Sequence, residues 1–322
     1  MAKKTSTKAK RSRSTAKTTP AVRYLRYELT NSGSPNTETS HYVDLAKDLS
    51  AINRRLMRQG RMYHVKRISI TSSNTNQISP GGNAGRVSVG TLPESWITQQ
   101  AWSRGFKTWQ KMQMTAMENA ASDFRGTYND FKVYMDNDHR SGTILTAKDN
   151  GGNNLAAGEW IYSKLITPDG TTSADEFELH MLGGHNGGAG SRVSVGLVRS
   201  YAESRATIQA TSPAGAVDND DPLMNLFDDG TVVDEVLQDI LDEGDAPPYS
   251  VASYAGGGGN MPKPLVVYES TLGTDGRVTI GSFKAMCGLI EFEAASPIAN
   301  DVYSVLVELA PGKYRGVKAE VI

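Results

Sequence analysis

Between residues 263 and 322 the β-branched runs follow one another closely, with only short segments between them: KPLVVYES, GRVTIG, GLIEFEA, VYSVLVELA and GVKAEVI. Further runs of the same kind lie upstream, in MYHVKRISI (62–70), FKVYM (131–135), EWIYSKLIT (159–167), EFELHML (176–182) and VSVGLVRSY (193–201). Regular helices rarely separate these strands, which argues against a parallel α/β sheet. The reading is nine or ten strands against two or three helices. Glycine, at 32 of 322 residues, supplies the turns such a chain needs. The expected fold is therefore all-β, an antiparallel jelly-roll sandwich with helical insertions.

Apolar spacing predicts three helices. The first spans Tyr42 to Gln59, with Leu45, Leu49, Ile52 and Leu56 on one face and Gly60 as its stop. The second runs from Glu94 to Met117 and sets Trp102, Phe106 and Trp109 on one face; the expectation is that this face is core rather than a base-stacking platform. The third lies in TVVDEVLQDILDE, with Val232, Val236 and Ile240 aligned. In the strand 62–70, Tyr63, Val65, Arg67 and Ser69 alternate with His64, Lys66, Ile68 and Ile70, and polarity does not follow the alternation cleanly. GRVSVG (85–90), SRVSVG (191–196) and GRVTIG (276–281) echo one another, but unequal spacing and unlike flanks make them three similar glycine-bounded strands, not a repeat.

A net charge of −1 conceals segregation. Residues 1–27 carry nine cations and no acid, leaving 25 cations against 35 acids in the rest. Eleven of those acids fall in residues 207–262, which have no lysine or arginine. The division that follows is a disordered basic arm at 1–27 and one sandwich domain at 28–322, interrupted by an acidic helical or loop insertion at about 207–262. The lone Cys287 excludes an intrachain disulfide and a cysteine-based zinc site. No run reaches the roughly 18 apolar residues of a membrane span, and the basic start lacks the apolar core of a secretory signal.

Signals for chemistry are weak. GGHNGGAG (183–190) is followed by a β-branched run rather than a helix, so it reads as a glycine turn and not a phosphate loop. The histidines 41, 64, 139, 180 and 185 form no metal motif. No nucleophile elbow occurs, Cys287 sits among apolar neighbours, and the pairs Asp220/Asp221 and Asp228/Asp229 belong to a solvated acidic run. The expectation is no catalytic set, no metal and no cofactor.

The arm is different. Lys3, Lys4, Lys8, Lys10, Arg11, Arg13 and Lys17, spaced by Ser, Thr and Ala, suit phosphate neutralisation through counterion release, without base readout. A nuclear localisation signal in KAKRSR is compatible with that role. A transit peptide would want an apolar face that is missing, and a merely solvated tail leaves the cations uncompensated.

Two stretches, HYVDLAKDLSAINRRLMRQGRMYHVKRISI (41–70) and VSVGTLPESWITQQAWSRGFKTW (87–109), resemble capsid proteins of small circular Rep-encoding single-stranded DNA viruses. The resemblance implies a self-assembling jelly-roll shell subunit without enzymatic activity, similar to the capsids of small RNA viruses, located in the virion and passing through the host nucleus during assembly. Its partners would be other copies of itself and a genome, single-stranded DNA with RNA left open, and no membrane. On this reading the seven arm cations bind phosphate, and Arg23 and Arg26 join them where the arm enters the shell. Arg54, Arg55, Arg58 and Arg61 give the first helix a basic side that extends the inner lining, or simply answer a helix C-terminal dipole. The body is long for one minimal jelly roll. Two rival functions remain: a non-viral sandwich that binds nucleic acid as a monomer or dimer, and a lectin-like or carbohydrate-active sandwich whose basic start is a targeting segment.

Overall fold

The computed structural model describes residues 20–74, 84–119, 130–156, 158–168, 174–187, 192–206, 264–273 and 275–322. In chain order its elements begin β1 (Tyr24–Thr30), β2 (Thr39–Asp44), α1 (Leu45–Asn53), β3 (Arg61–Ser72), β4 (Arg86–Thr91) and α2 (Trp96–Asn119). They continue α3 (Asn137–Ser141), β5 (Thr143–Ile144), β6 (Lys164–Pro168), β7 (Ala174–His180), β8 (Ser194–Gly196) and α4 (Leu197–Ala206). The remaining strands are β9 (Leu265–Thr271), β10 (Arg277–Ile280), β11 (Phe283–Met286), β12 (Leu289–Ala295) and β13 (Val302–Leu309). Short β14 (Pro311–Gly312), β15 (Gly316–Val317) and β16 (Ala319–Val321) close the chain.

The molecule is mostly β, with curled antiparallel sheets. Its pairings nest: β1 pairs β13, β2 pairs β12, β3 pairs β10 and β11, and β4 pairs β9, all antiparallel. Further antiparallel pairs, β13 with β3 and β12 with β4, join this nested ribbon into two sheets. Their orders are β1-β13-β3-β10 and β5-β2-β12-β4-β9, with β5 parallel to β2 at one edge. Leu25, Tyr27, Ile68, Ile70, Val305 and Val307 of the first sheet share one buried core with Val43, Val87, Val89, Ile290 and Phe292 of the second. That arrangement is compatible with a β-sandwich.

The unclean alternation in β3 has a structural cause. Tyr63 and Val65 point inward, then Ile68, Ile70 and Ser72, so the phase slips at Lys66 and Arg67, which are both exposed. The register with β13 shifts at the same place, as a bulge requires. One carboxylate spans the slip: Glu308 accepts Lys66 Nζ at 2.6 Å and an Arg67 guanidinium nitrogen at 3.1 Å.

Several sequence expectations are corrected. The first helix is α1 alone, because Tyr42 to Asp44 pair with β12 and Arg54, at φ 52°, ends the helix in the left-handed region. Gly60 is not a helix stop; a Cβ there would lie 2.6 Å from Cζ2 of Trp102. The arm cannot extend to residue 27, since Leu25 and Tyr27 are fully buried in β1. In VSVGLVRSY the strand ends at Gly196, and Leu197, Val198 and Tyr201 bury one side of α4 against α2. FKVYM is extended but forms no ladder; Tyr134 N–H donates to Leu179 O at 2.9 Å, and Met181 N–H donates to Tyr134 O at 3.0 Å. The three echoed strands, β4, β8 and β10, belong to three different sheets. Residues 207–262, with the third predicted helix, lie outside the described residues.

All of α2 to α4 and β5 to β8 fall between β4 and β9, which accounts for the long body. Their second core joins Ile97, Trp102, Trp109, Phe131, Leu179 and Val198 to Tyr42, Met62, Met286 and Leu289 at one end of the two sheets.

Inside the main core, the Tyr27 hydroxyl donates to Asp48 Oδ2 at 2.8 Å, and burial pushes the Asp48 carboxyl up to about 7. A carboxyl raised on folding stabilises most when protonated in the native state, so its contribution is full in acid and is lost as pH rises through about 7. Asp48→Asn should therefore gain stability relative to the natural chain between about pH 4.5 and about pH 7.5, by up to about 4 kcal/mol. Urea unfolding of both proteins followed by tryptophan fluorescence checks this; a constant difference across that range would contradict it.

Candidate nucleic-acid interface

The site is built around one side chain, Asp44. It sits at the junction of β2 and α1 in an extended conformation, φ −108° and ψ 99°, as an N-cap residue does. Its Oδ1 accepts the backbone N–H of Ala46 at 3.0 Å and of Lys47 at 3.1 Å. Its Oδ2 accepts Gln59 Nε2 at 3.0 Å, Trp160 Nε1 at 2.9 Å and the Tyr162 hydroxyl at 3.3 Å. Asp44 is fully buried, so each donor offsets part of the cost of taking a carboxylate from water.

These bonds fix the surroundings. Gln59 also accepts Val133 N–H at 2.6 Å and donates to Val133 O at 3.0 Å, holding the 130–135 segment beside α1. Lys132 N–H donates to Ser163 Oγ at 3.0 Å, and Ser163 N–H returns to Lys132 O at 2.9 Å. The Lys132 ammonium thereby lies over the Trp160 ring, 4.8 Å from its centroid. At the other end of α1, Ser50 Oγ accepts Met57 N–H at 2.7 Å and folds the turn back, leaving Arg54 and Arg55 exposed at the helix C-terminus.

The result is a cleft of about 430 Å³ lined by Lys47, Arg54, Arg55 and Lys132, with Glu159 as its one acid and Ala51, Leu56 and Trp160 as apolar lining. Among the described residues none of the four cations makes an ion pair. Lys132 is only 5% exposed, and burial lowers its pKa, opposed by Asp130 and Asp44 nearby. A second cleft of about 390 Å³ beside it holds Arg58, Arg61 and Lys107. There Arg58 meets Asp130 at 3.3 Å, and the Arg61 guanidinium lies 3.9 Å from the Tyr314 ring centroid.

The chain enters this end of the molecule. Val22 N–H donates to Asn53 Oδ1 at 2.8 Å and Asn53 Nδ2 returns to Val22 O at 3.1 Å, so the arm's root adjoins Arg54. Lys3, Lys4, Lys8, Lys10, Arg11, Arg13 and Lys17 lie outside the described residues. Arg23 is half-buried beside β1, its carbonyl accepting Leu309 N–H at 2.9 Å. Arg26 is exposed and pairs at 2.7 Å with Glu28, a carboxylate that also meets Lys148 at 2.7 Å.

The basic side of Arg54, Arg55, Arg58 and Arg61 was legible in sequence. Lys47 lies in the same predicted helix, seven residues before Arg54, and that helical spacing could have added it. Lys132 and Trp160 were not legible, because they come from separate segments that only the bonds to Asp44, Gln59 and Ser163 gather. Trp102 and Trp109, 7% and 3% exposed, are core. His139 is buried, accepts Met135 N–H at 2.9 Å through Nδ1, and has its pKa pushed down to about 3 by burial. Cys287 is buried in the two-residue turn between β11 and β12, where it and Gly288 take φ of 58° and 70°. Among the described residues no His, Cys, Asp and Glu cluster could hold a metal ion, and no helix is long and apolar enough to cross a membrane. In comparisons with protein-family models, curated proteins and solved structures, no match was found.

Asp44→Ala removes a helix cap and takes the acceptor from three side-chain donors, buried Gln59 and half-buried Trp160 and Tyr162. It should destabilise the chain by about 4 kcal/mol or more. A shift of less than about 1 kcal/mol in urea unfolding would contradict the organising role given to this carboxylate.

Proposed function

We propose that this chain is a viral capsid subunit with a jelly-roll shell domain, which assembles into an icosahedral shell and packages nucleic acid through its basic arm. The observation that carries this reading is the nested pairing. Counting β10 and β11 as one interrupted strand, the eight main strands pair first with last, second with seventh, third with sixth and fourth with fifth. One antiparallel ribbon rolled up in this way produces the double Greek key of the jelly roll, an architecture used by viral shells, lectins and cupins.

Fold alone does not select among these. Charge does. The arm roots beside a cleft with four cations to one acid, while the eleven acids of 207–262 lie in a separate stretch of sequence. A lumen packed with phosphate favours the first feature and disfavours the second. Burial of Trp102 and Trp109 counts against a sugar-binding face built on that helix. The cargo of this reading is a single-stranded DNA genome, with RNA as the alternative, and no enzymatic step is assigned.

Expression of the full chain should yield uniform particles by electron microscopy. Deleting residues 2–19 should leave particles but remove most of the enclosed nucleic acid, read as the ratio of absorbance at about 260 nm to about 280 nm. Nucleic-acid binding by the intact protein should weaken steeply with salt, the slope falling by about 0.7 for each arm cation replaced by alanine. A purified chain that stays monomeric and fails to bind DNA or RNA at low salt would overturn the proposal.

A further inference from the structure

We infer that the cleft between α1 and residues 158–160 holds one nucleotide of a single-stranded nucleic acid, its phosphate on the cations and its base against Trp160. The inference rests on the reading of this end of the molecule as the face toward nucleic acid, and it adds an ordered contact where the arm offers only diffuse attraction.

The argument starts with Lys132. Lys132 is 5% exposed and holds its ammonium 4.8 Å from the Trp160 ring centroid; it makes no ion pair among the described residues, and the Asp130 and Asp44 carboxyls act on it only from a distance. Those carboxyls offset part of the cost of burying the cation, and an anion in direct contact would offset more. Lys47, Arg54 and Arg55 converge on the same space from α1, so one phosphate entering there would be answered from two sides. Leu56 and the Trp160 indole give the lining an apolar wall, and Glu159 is the one acid that four cations outweigh. An apolar wall beside a phosphate site suits a nucleotide better than a bare anion, because a base can stack where inorganic phosphate gains nothing.

Size and shape narrow the ligand. A volume of about 430 Å³ falls within the roughly 300–1,000 Å³ of small-molecule pockets. Bases in a duplex are stacked and paired, and extruding one costs free energy that an unpaired strand does not spend. The cleft therefore selects single strands over duplex by conformation, without reading sequence. The Asp44 bond to Trp160 Nε1 makes the ring a preset platform, so little order is lost on binding.

Photocrosslinking tests this on the full chain. The protein is mixed at low salt with a short single-stranded oligodeoxynucleotide containing bromodeoxyuridine, irradiated, and crosslinked peptides are located by mass spectrometry. Crosslinks are expected at Trp160 as well as in the arm. Lys132→Met and the double change Arg54→Ala, Arg55→Ala should each lower the Trp160 crosslink by about tenfold while leaving arm crosslinks in place. Unlabelled duplex of equal length should compete for the arm crosslinks but spare Trp160, and thymidine monophosphate should compete at Trp160 far better than inorganic phosphate. Crosslinks confined to residues 1–19, a Trp160 signal indifferent to the substitutions, or equal competition by inorganic phosphate would each overturn the inference. Particle formation is scored separately by electron microscopy: a Trp160 crosslink without particles keeps the nucleotide cleft and removes the capsid reading, and particles without that crosslink do the reverse.

Discussion

A single buried carboxylate, Asp44, ties together the parts of this molecule that matter for its proposed role. It caps α1, anchors the indole of Trp160 and holds Gln59, which in turn holds the segment bearing Lys132. A charged acceptor shared among five donors is strong only while all of them are in place; removing the acceptor leaves buried N–H and O–H groups unpaired. The cationic cleft is therefore a consequence of core geometry. Arg54 and Arg55 are exposed, Lys47 is half-buried and Lys132 is buried, but what brings them together lies inside.

The second organising constraint is topological. Nested antiparallel pairing makes both sheets from one ribbon, so the segment between the fourth and fifth strands can lengthen without disturbing the others. The chain uses that freedom for α2, α4 and the β6-β7-β8 sheet, which cover one end and bring their own core. Residues 130–135 and 158–163 reach back from that insertion toward Asp44 and supply one wall of the cleft, with Lys132, Glu159 and Trp160. The insertion thus contributes to the same end of the molecule where the arm begins, and the proposed interior face combines residues distant in sequence.

How much of this could be read from the sequence differs by element. β7, β9, β12, β13 and α2 follow directly from β-branched runs or helical spacing, because burial and local preference agree there. β1 was hidden: YLRYELT alternates apolar and polar residues, but two arginines and the cationic run before it made the stretch read as arm. The first helix was overextended because Leu56 and Gly60 continue its pattern, whereas the pairing of Tyr42 to Asp44 with β12 and the left-handed Arg54 are tertiary decisions. Leu197, Val198 and Tyr201 suit either a strand or a helix, and packing against α2 decides. Of the cleft, the arginines following α1 were visible as a charge cluster. Lys132 beside Trp160 was not, since no spacing rule links residues joined only through Asp44, Gln59 and Ser163.

The most direct test of the central claim, that the basic end of the domain faces packaged nucleic acid, is a cryo-electron microscopy reconstruction of the assembled protein. The account predicts a closed shell in which α1, Arg54, Arg55 and the cleft line the interior, next to density for nucleic acid. A shell with those residues on its outer surface, and the opposite end of the sheets turned toward the cargo, would contradict it.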